Sequence, residues 1–280
     1  MILFPNAKIN LGLRVLNRRP DGYHELMTVM MPVPWQDVLE IVPARAGAPV
    51  SLTVTGRTVD CPTEKNLVMK AYRALEAELG SLPPAEMYLQ KNIPDGAGLG
   101  GGSADASFTL VGLNEVFGLG LTRGQLARVA AGVGADCPFF VYNETAYCTG
   151  TGTTISAGVH IDLSAYTIVV AKPQGETVST AEAYAAIRPC GRAAAPVDVL
   201  GLDISLWPEM LVNDFEASVF PRHPRIASLK RHMTDCGARY AAMSGSGAAV
   251  FGIFDNDNLA QHAADTAADC DTFVTGGADW

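Results

Sequence analysis

The sequence is poor in charged residues and has no long apolar run. Only 18% of its 280 residues are charged, and no uninterrupted apolar stretch approaches the roughly 20 residues that a transmembrane helix needs. Lysines and arginines number 20 against 29 aspartates and glutamates, a formal net charge of −9. An acidic chain without a basic cluster is a poor candidate for binding a nucleic-acid polymer. Because the hydrophobic fraction is 48%, we expect a soluble, globular protein.

Secretory and metal-binding patterns are also missing. The first residues lack the charged region and apolar core of a secretory signal, so we expect a cytoplasmic protein. The cysteines contain no Cys-x-x-Cys pair, and the histidines no His-x-x-x-His pattern, which disfavours zinc sites and a disulfide scaffold. We expect the cysteines to be reduced, buried thiols; they are Cys61, Cys137, Cys148, Cys190, Cys236 and Cys270.

Strands and helices are predicted in alternation along both halves of the chain. Residues 7–16 alternate apolar and polar side chains, which indicates a strand with one buried face. Further strands are predicted at 38–42, 50–55, 87–93, 166–171, 239–243, 248–254 and 272–275. Helices are predicted at 64–79, 103–117, 122–131 (opened by a capping box), 180–187, 208–219, 225–236 and 259–268, and a small-residue loop at 191–196. This pattern predicts an α+β protein with two domains, residues 1–155 and 156–280.

A glycine-rich loop between a predicted strand and a predicted helix is the most informative segment. Five glycines crowd into seven residues: Gly96, Gly98, Gly100, Gly101 and Gly102. Without a Cβ, each glycine lets the backbone press its N–H groups against a ligand. The following helix adds unpaired N–H groups and the positive end of its dipole. We therefore predict a site for a di- or triphosphate; the plain alternative is a tight turn.

The known phosphate loops match this segment poorly. Its Gly-x-Gly-x-x-Gly spacing fits the dinucleotide fingerprint, but Pro94 separates strand from loop and no acidic ribose ligand follows at the usual distance. A Walker loop would need a lysine before Ser103. The His-Arg-Asp and Asp-Phe-Gly motifs of protein kinases are absent.

Three motifs in order resemble the GHMP small-molecule kinases, the family of galactokinase, homoserine kinase and mevalonate kinase. They are Ala7-Lys8-Ile-Asn10-Leu-Gly-Leu, Pro94-x-x-x-Gly-Leu-Gly-Gly-Gly-Ser103 and Met243-Ser-Gly-Ser-Gly247-Ala-Ala-Val. The resemblance implies an N-terminal ribosomal-protein-S5-domain-2-like nucleotide lobe and a C-terminal ferredoxin-like lobe. It also implies ATP as phosphoryl donor, with Mg²⁺ expected alongside the nucleotide. The role of the third motif stays open.

Other segments resemble one branch of this family, which phosphorylates the 2-hydroxyl of a CDP-linked methylerythritol in the non-mevalonate isoprenoid pathway. These segments are Arg19-Pro-Asp-Gly-Tyr23-His24-Glu25, Gly134-Ala-Asp136-Cys-Pro-Phe-Phe140 and Asn213-Asp-Phe-Glu216. The resemblance implies a small-molecule substrate for a monomer or homodimer. Another GHMP kinase, of the mevalonate or homoserine type, and a non-catalytic nucleotide-binding module are the alternatives.

The resemblance also assigns residues. It implies Asp136 as general base, although the residues alone fit an N-cap aspartate equally well, and Lys8 beside it, although most lysines are exposed. The implied substrate-binding residues are Asn10, Tyr23, His24, Thr180 and Tyr184, of which Tyr184 also fits a core tyrosine. The implied ATP-binding residues are Asn66, Lys91, Pro94, Gly96, Gly98, Leu99, Gly100, Gly101, Gly102, Ser103 and Ala104. Lys91 could instead be an exposed strand lysine.

One departure from the family pattern affects the phosphate loop. Many relatives carry a second serine where this chain has Ala104. The change leaves open whether Ser103 or Asp105 contacts a phosphate or Mg²⁺, and the sequence assigns no metal ligands.

Overall fold

The structure is a computed structural model that describes residues 1–45, 47–59, 61–189, 191 and 194–276. The strands are β1 (Ile2–Leu3), β2 (Asn6–Arg18), β3 (His24–Gln36), β4 (Val38–Pro43), β5 (Ser51–Gly56), β6 (Ala85–Lys91), β7 (Ala146–Gly150), β8 (Thr154–Ala157), β9 (Thr167–Pro173), β10 (Tyr240–Met243), β11 (Val250–Phe254) and β12 (Cys270–Thr275). The helices are α1 (Leu67–Leu79), α2 (Gly101–Val116), α3 (Arg123–Ala131), α4 (Cys137–Tyr142), α5 (Thr180–Ala185), α6 (Pro196–Leu200), α7 (Trp207–Met210), α8 (Phe215–Val219), α9 (Pro224–Asp235) and α10 (Asp257–Asp265). Cys190 and part of the predicted 191–196 loop lie outside the described residues.

The first sheet has the strand order β1-β4-β6-β5. β5 and β6 run parallel, with α1 as the connection between them, and β4 pairs antiparallel with β6. Along β6, Met87 and Leu89 are buried while Tyr88 and Gln90 are exposed, as the alternation of a one-sided sheet requires. The buried face packs on α1 and α2 through a core that includes Tyr72, Leu75 and Leu110, so the sheet positions the start of α2.

The second sheet, ordered β2-β3-β7-β8, differs most from the predictions. β3 was not predicted, because every residue from Leu26 to Met31 is buried, which hides the alternation of a strand. Pro32 and Pro34 also argue against a central strand. The prediction of one buried face for β2 is wrong, since every residue from Asn6 to Leu13 is buried. Lys8 and Asn10 are therefore interior side chains, and burial of such groups requires hydrogen-bond partners.

The third sheet has the order β10-β11-β9-β12, with all neighbours antiparallel. The chain passes through it as β9, helices ending in α9, β10, β11, α10 and β12. Numbered within this sheet, the strand order is 4-1-3-2, which together with that succession is the ferredoxin-like arrangement. The prediction of an α+β fold with a ferredoxin-like C-terminal part is confirmed.

Two compact units divide the chain. The first contains Met1–Ala7, Trp35–Asp95 and Gly100–Glu144, and the second contains Lys8–Pro34, Gly96–Leu99 and Thr145–Trp280. Each unit is assembled from separate stretches because β2, β3 and the glycine loop pass between them. The predicted domain boundary at residue 155 stays a prediction.

Several predicted elements need correction. The helix predicted at 208–219 is two short helices, α7 and α8, separated at Leu211–Asp214. None of the described cysteines forms a disulfide bond. Cys61 is exposed, contrary to the expectation of buried thiols, whereas Cys137 and Cys148 are buried. The capping box at Thr122 and Gln125 is confirmed. Within the described part of the chain, no helix is both long and apolar enough to cross a membrane.

Candidate active site

The glycine loop has the conformation that its composition predicts. β6 ends at Lys91 and α2 begins at Gly101. Gly96, Gly98 and Gly100 between them all have positive φ, at 59°, 71° and 71°, which L-residues with a Cβ adopt only at a cost. Among the described residues, no side chain caps the first turn of α2. Its N–H groups and dipole can therefore serve an anionic ligand.

Gly98 is the position where the absence of a side chain matters most. A Cβ added there would lie 2.1 Å from the carbonyl oxygen of Ser244. Two backbone hydrogen bonds join the same segments, from Ala248 N to the oxygen of Gly96 at 3.2 Å and from Ala249 N to the oxygen of Ala97 at 2.9 Å. The third motif therefore braces the glycine loop, a role that the sequence had left open.

The carbonyl oxygen of Gly98 joins all three sequence motifs. It accepts hydrogen bonds from Lys8 Nζ at 2.8 Å and from Ser244 Oγ at 3.0 Å. Lys8 Nζ also donates to Asn10 Oδ1 at 2.5 Å. Lys8 is 3% exposed, so the interpretation of a solvent-facing lysine is wrong. The strand, the glycine loop and the third motif thus form one hydrogen-bonded cluster in the second unit.

Asn10 continues this cluster into the second sheet. Its Nδ2 donates to Thr28 Oγ1 at 3.0 Å, and Thr28 Oγ1 donates to the carbonyl oxygen of Gly12 at 2.6 Å. Asn10 is 1% exposed. A buried amide held at both ends keeps a fixed orientation, which suits a side chain that positions the Lys8 ammonium.

Asp136 precedes α4 in the first unit and is half-buried. Among the described residues, its side chain makes no capping hydrogen bond to α4, so the structure does not support the N-cap interpretation. Ser107 Oγ, on α2, donates to the carbonyl oxygen of Cys137 at 2.7 Å. This bond fixes the start of α4 against α2, while burial raises the pKa of the Cys137 thiol to about 11 and makes it a poor nucleophile.

The predicted substrate residues include an aromatic pair. The rings of His24 and Tyr184 stack with centroids 4.8 Å apart and planes 19° apart, and Tyr184 makes an edge-to-face contact with Phe215 at 4.8 Å. Tyr184 therefore packs on the core and also faces His24. Tyr23 is 67% exposed, an unusual position for a large aromatic ring, and Thr180 opens α5 four residues before Tyr184.

Two of the predicted ATP-binding residues have structural partners. Asn66 is the N-cap of α1, and its side chain accepts a hydrogen bond from Val68 N at 2.9 Å. Lys91 is buried and paired with Asp37 and Asp105, so the interpretation of an exposed strand lysine is wrong. Asp105 is thus held by Lys91 through its Oδ2 atom.

Asn213 has a structural role that the sequence did not reveal, although the segment Asn213–Glu216 matches the family pattern. Asn213 Nδ2 donates to the carbonyl oxygens of Met243 at 2.7 Å and Gly245 at 2.9 Å. Glu216 Oε1 accepts a hydrogen bond from Met243 N at 2.9 Å. Asn213 thus fixes the backbone of the third motif. An asparagine inside a predicted helix could have indicated this role, because asparagine side chains often leave a helix to hydrogen-bond backbone groups.

Comparison with known proteins accounts for the three motifs. The family model of the GHMP kinases N terminal domain matches residues 66–144, and that of the GHMP kinases C terminal domain matches residues 199–270. A 4-diphosphocytidyl-2-C-methyl-D-erythritol kinase from Parabacteroides distasonis is 49% identical over 255 residues, 91% of this chain and 92% of that protein. The chain belongs to the GHMP kinase family. A kinase of the same name from Porphyromonas gingivalis is 46% identical, again over 91% of this chain and 92% of that protein.

Solved GHMP kinases share the fold along nearly the whole chain. A crystal structure of 4-(cytidine 5′-diphospho)-2C-methyl-D-erythritol kinase matches with a TM-score of 0.82 and 30% identity, covering 98% of each chain. The mevalonate kinase of Methanococcus jannaschii matches with a TM-score of 0.72 at 11% identity, covering 98% of this chain and 97% of its own. At that identity the second match shows the fold alone. The membership of this chain in the GHMP kinase family thus agrees with its sheets and with its glycine loop.

Proposed function

We propose that the chain is an ATP-dependent kinase that phosphorylates the 2-hydroxyl of 4-diphosphocytidyl-2-C-methyl-D-erythritol, a step of non-mevalonate isoprenoid synthesis. The observation that carries the proposal is the Gly98 cluster, in which Lys8, the glycine loop and Ser244 meet on one carbonyl oxygen. The names of the relatives that are 46–49% identical to this chain support the choice of acceptor. The kinase would act in the cytoplasm as a monomer or homodimer.

In this proposal the phosphates of ATP bind the N–H groups of the glycine loop and of the first turn of α2. The residues that donate these N–H groups are Gly96, Gly98, Leu99, Gly100, Gly101, Gly102, Ser103 and Ala104. Pro94, which has no N–H, Asn66 and Lys91 complete the proposed ATP site. Backbone N–H groups suit this task in an acidic chain, because they bind phosphate without basic side chains.

Phosphoryl transfer also needs a group that takes the proton of the attacking hydroxyl. We assign Asp136, a half-buried carboxylate immediately before α4, as the general base, as the family resemblance implies. Lys8 fits as the cation that keeps this carboxylate ionised and lowers the pKa of the hydroxyl. Asn10 and the Gly98 carbonyl hold the Lys8 ammonium, and such preorganisation favours the charged transition state.

Mg²⁺ binds hard oxygen ligands and usually keeps several waters when it accompanies a nucleotide. The Ser103 hydroxyl, in the first turn of α2, fits this chemistry because it is an oxygen donor. In the described part of the chain, no group of three or more His, Cys, Asp or Glu could hold a metal ion, so the ion would enter with ATP. When bound, it neutralises phosphate charge.

The acceptor needs an aromatic surface for a cytosine ring and hydrogen-bonding groups for its edge. His24 and Tyr184 stack, and Tyr23, which precedes His24 in the sequence, is largely exposed to solvent. We assign cytosine binding to these three residues, with His24 on the ring edge, and binding of the rest of the acceptor to Asn10 and Thr180. Aromatic stacking is worth about 1 kcal/mol per contact, enough to select a nucleotide-linked polyol over a free one.

The deciding experiment measures ADP release with CDP-methylerythritol, mevalonate and homoserine as separate acceptors. We expect turnover with the first alone. The kcat should be at least about 100-fold lower in Asp136→Asn, because general acid–base catalysis contributes about that much. It should also fall in Lys8→Met, which removes the cation that keeps Asp136 ionised. Asp235→Asn and Lys70→Met, at exposed positions, are the matched controls. Turnover with mevalonate or homoserine would indicate another GHMP kinase, and ATP binding without turnover on any acceptor would indicate a binding module.

A further inference from the structure

A buried cluster of three charged side chains lies beside the glycine loop in the first unit. The Lys91 ammonium donates to Asp105 Oδ2 at 2.7 Å and to Asp37 Oδ2. The side chains are at most 6% exposed. Burial disfavours the charged form of Lys91, but the two carboxylates outweigh it, and the lysine pKa is raised. The ammonium is thus held in the interior.

The cluster connects the backbone on the two sides of the glycine loop. Asp37 Oδ1 accepts hydrogen bonds from Asn92 N at 2.6 Å and from Ile93 N at 2.8 Å, immediately before the loop. Asp105 lies in the second turn of α2, immediately after the loop. Lys91 joins the two carboxylates. One chain of hydrogen bonds therefore runs from the start of the loop to its end.

The cluster also lies against the first residue of α2. A Cβ added to Gly101 would be 3.0 Å from Ile93 Cγ2 and 3.4 Å from Lys91 Nζ. The Lys91 ammonium therefore lies close to Gly101, at the start of the helix whose N–H groups would meet the phosphates.

Stability alone accounts poorly for such a cluster. Two carboxylates share one ammonium, and among the described residues Asp105 Oδ1 has no hydrogen-bond partner. Buried ion pairs are often replaceable by apolar side chains without loss of stability, and an unsatisfied buried oxygen costs free energy. The arrangement is better explained by what it holds in place.

We infer that Asp37, Lys91 and Asp105 are positioning residues that fix the separation of the two ends of the glycine loop and so preorganise it for the phosphates of ATP. The inference rests on the proposed function. Preorganisation raises affinity because ordering the loop no longer has to be done on binding. The same inference makes Lys91 act through the loop backbone instead of contacting the nucleotide.

Asp105→Leu and Asp105→Asn form a matched pair for the test. Both remove one negative charge and leave Lys91 balanced by Asp37, but only asparagine keeps an acceptor oxygen for Lys91. We expect the Kd for MgATP, measured by calorimetry without acceptor, to rise about tenfold or more in Asp105→Leu and to stay much closer to wild type in Asp105→Asn. The KM for CDP-methylerythritol should be unchanged in both, a split that general loss of structure would not produce.

Equal Kd values in wild type and a folded Asp105→Leu, or equal weakening in both variants, would overturn the inference. If Asp105→Leu does not fold, the triple variant Asp37→Asn/Lys91→Met/Asp105→Leu removes all three buried charges and keeps the Oδ1 acceptor at position 37, with exposed Lys70→Met as control. Weakened MgATP binding in the folded triple variant supports the inference. Wild-type binding, or failure of this variant to fold as well, overturns it. If the wild-type protein binds no MgATP, the proposed function itself fails.

Discussion

Single atoms decide which residues the glycine loop tolerates. Gly80 and Gly98 both have positive φ, 77° and 71°, yet nothing lies within 4 Å of a Cβ added to Gly80, whereas one added to Gly98 meets the Ser244 carbonyl at 2.1 Å. The sequence can indicate that a glycine takes positive φ. It cannot show that the Ser244 carbonyl leaves no room for a side chain at Gly98, because Ser244 is almost 150 residues away.

Gly98→Ala is therefore expected to cost more than Gly80→Ala. A left-handed alanine costs about 1–2 kcal/mol at either position, and overpacking against backbone adds about 1–3 kcal/mol at Gly98 alone. Urea unfolding of both variants measures the difference, and MgATP titration should show weakened binding only for Gly98→Ala. Equal unfolding free energies for the two variants would mean that the Ser244 contact relaxes without cost.

Helix ends carry both structure and function in this protein. Asn66 caps α1 and Thr122 caps α3, each with a side-chain oxygen that accepts a backbone N–H. The capping box at Thr122 was recognisable from local spacing. The cap at Asn66 was not, because a short 3₁₀ turn, Thr63–Lys65, precedes it and the whole stretch was predicted as one helix from residue 64.

Asn66→Ala and Thr122→Ala separate the two roles of Asn66. Each should lower the free energy of unfolding by about 1 kcal/mol, because each removes one N-cap. Of the two variants, only Asn66→Ala should also raise the KM for ATP, since Asn66 is proposed to contact the nucleotide and Thr122 is not. Steady-state kinetics and urea unfolding of both variants provide the check; an unchanged KM in Asn66→Ala would leave it a cap and nothing more.

At the scale of the whole molecule, an acidic chain is proposed to bind a highly charged anion. The net charge is −9, so the proposed binding depends on local groups: the glycine N–H groups and the start of α2, with Lys91 acting through the loop backbone. One buried carboxyl group, that of Asp105, has a strongly shifted pKa. Burial raises the pKa of Asp105 to about 7; the Lys91 ammonium opposes this rise and the Asp37 carboxylate adds to it.

This raised pKa predicts how stability depends on pH. In the unfolded chain an aspartate has a pKa of about 3.9, so between about pH 4 and pH 7 the folded protein holds a proton that the unfolded chain has released. The free energy of unfolding should therefore fall as pH rises through this window and level off above it. Asp105→Asn, which cannot titrate, should become progressively more stable relative to wild type from pH 4.5 to 7.5 in urea unfolding. Parallel curves for the two proteins would contradict the raised pKa.

The sequence by itself determined the α+β class, most helices, the positive φ angles of the glycine loop and the family. These depend on composition, on local spacing and on motifs, all of which can be read from residues that are close in the sequence. β3 could not be predicted because burial on both faces removes the alternation by which a strand is recognised. The helix predicted at 208–219 failed because Asn213 leaves the helix to bond the backbone of Met243 and Gly245.

Only the tertiary structure decided what the polar side chains of these elements do. Lys8 and Lys91 both belong to strands, where most lysines are exposed, and both are buried because distant partners satisfy their ammonium groups: the Gly98 carbonyl for Lys8, and Asp37 and Asp105 for Lys91. The third motif likewise gained a role only through Gly98. A charged side chain can be buried only where partners satisfy it. Here the partners are distant in the sequence and come close only when the chain folds.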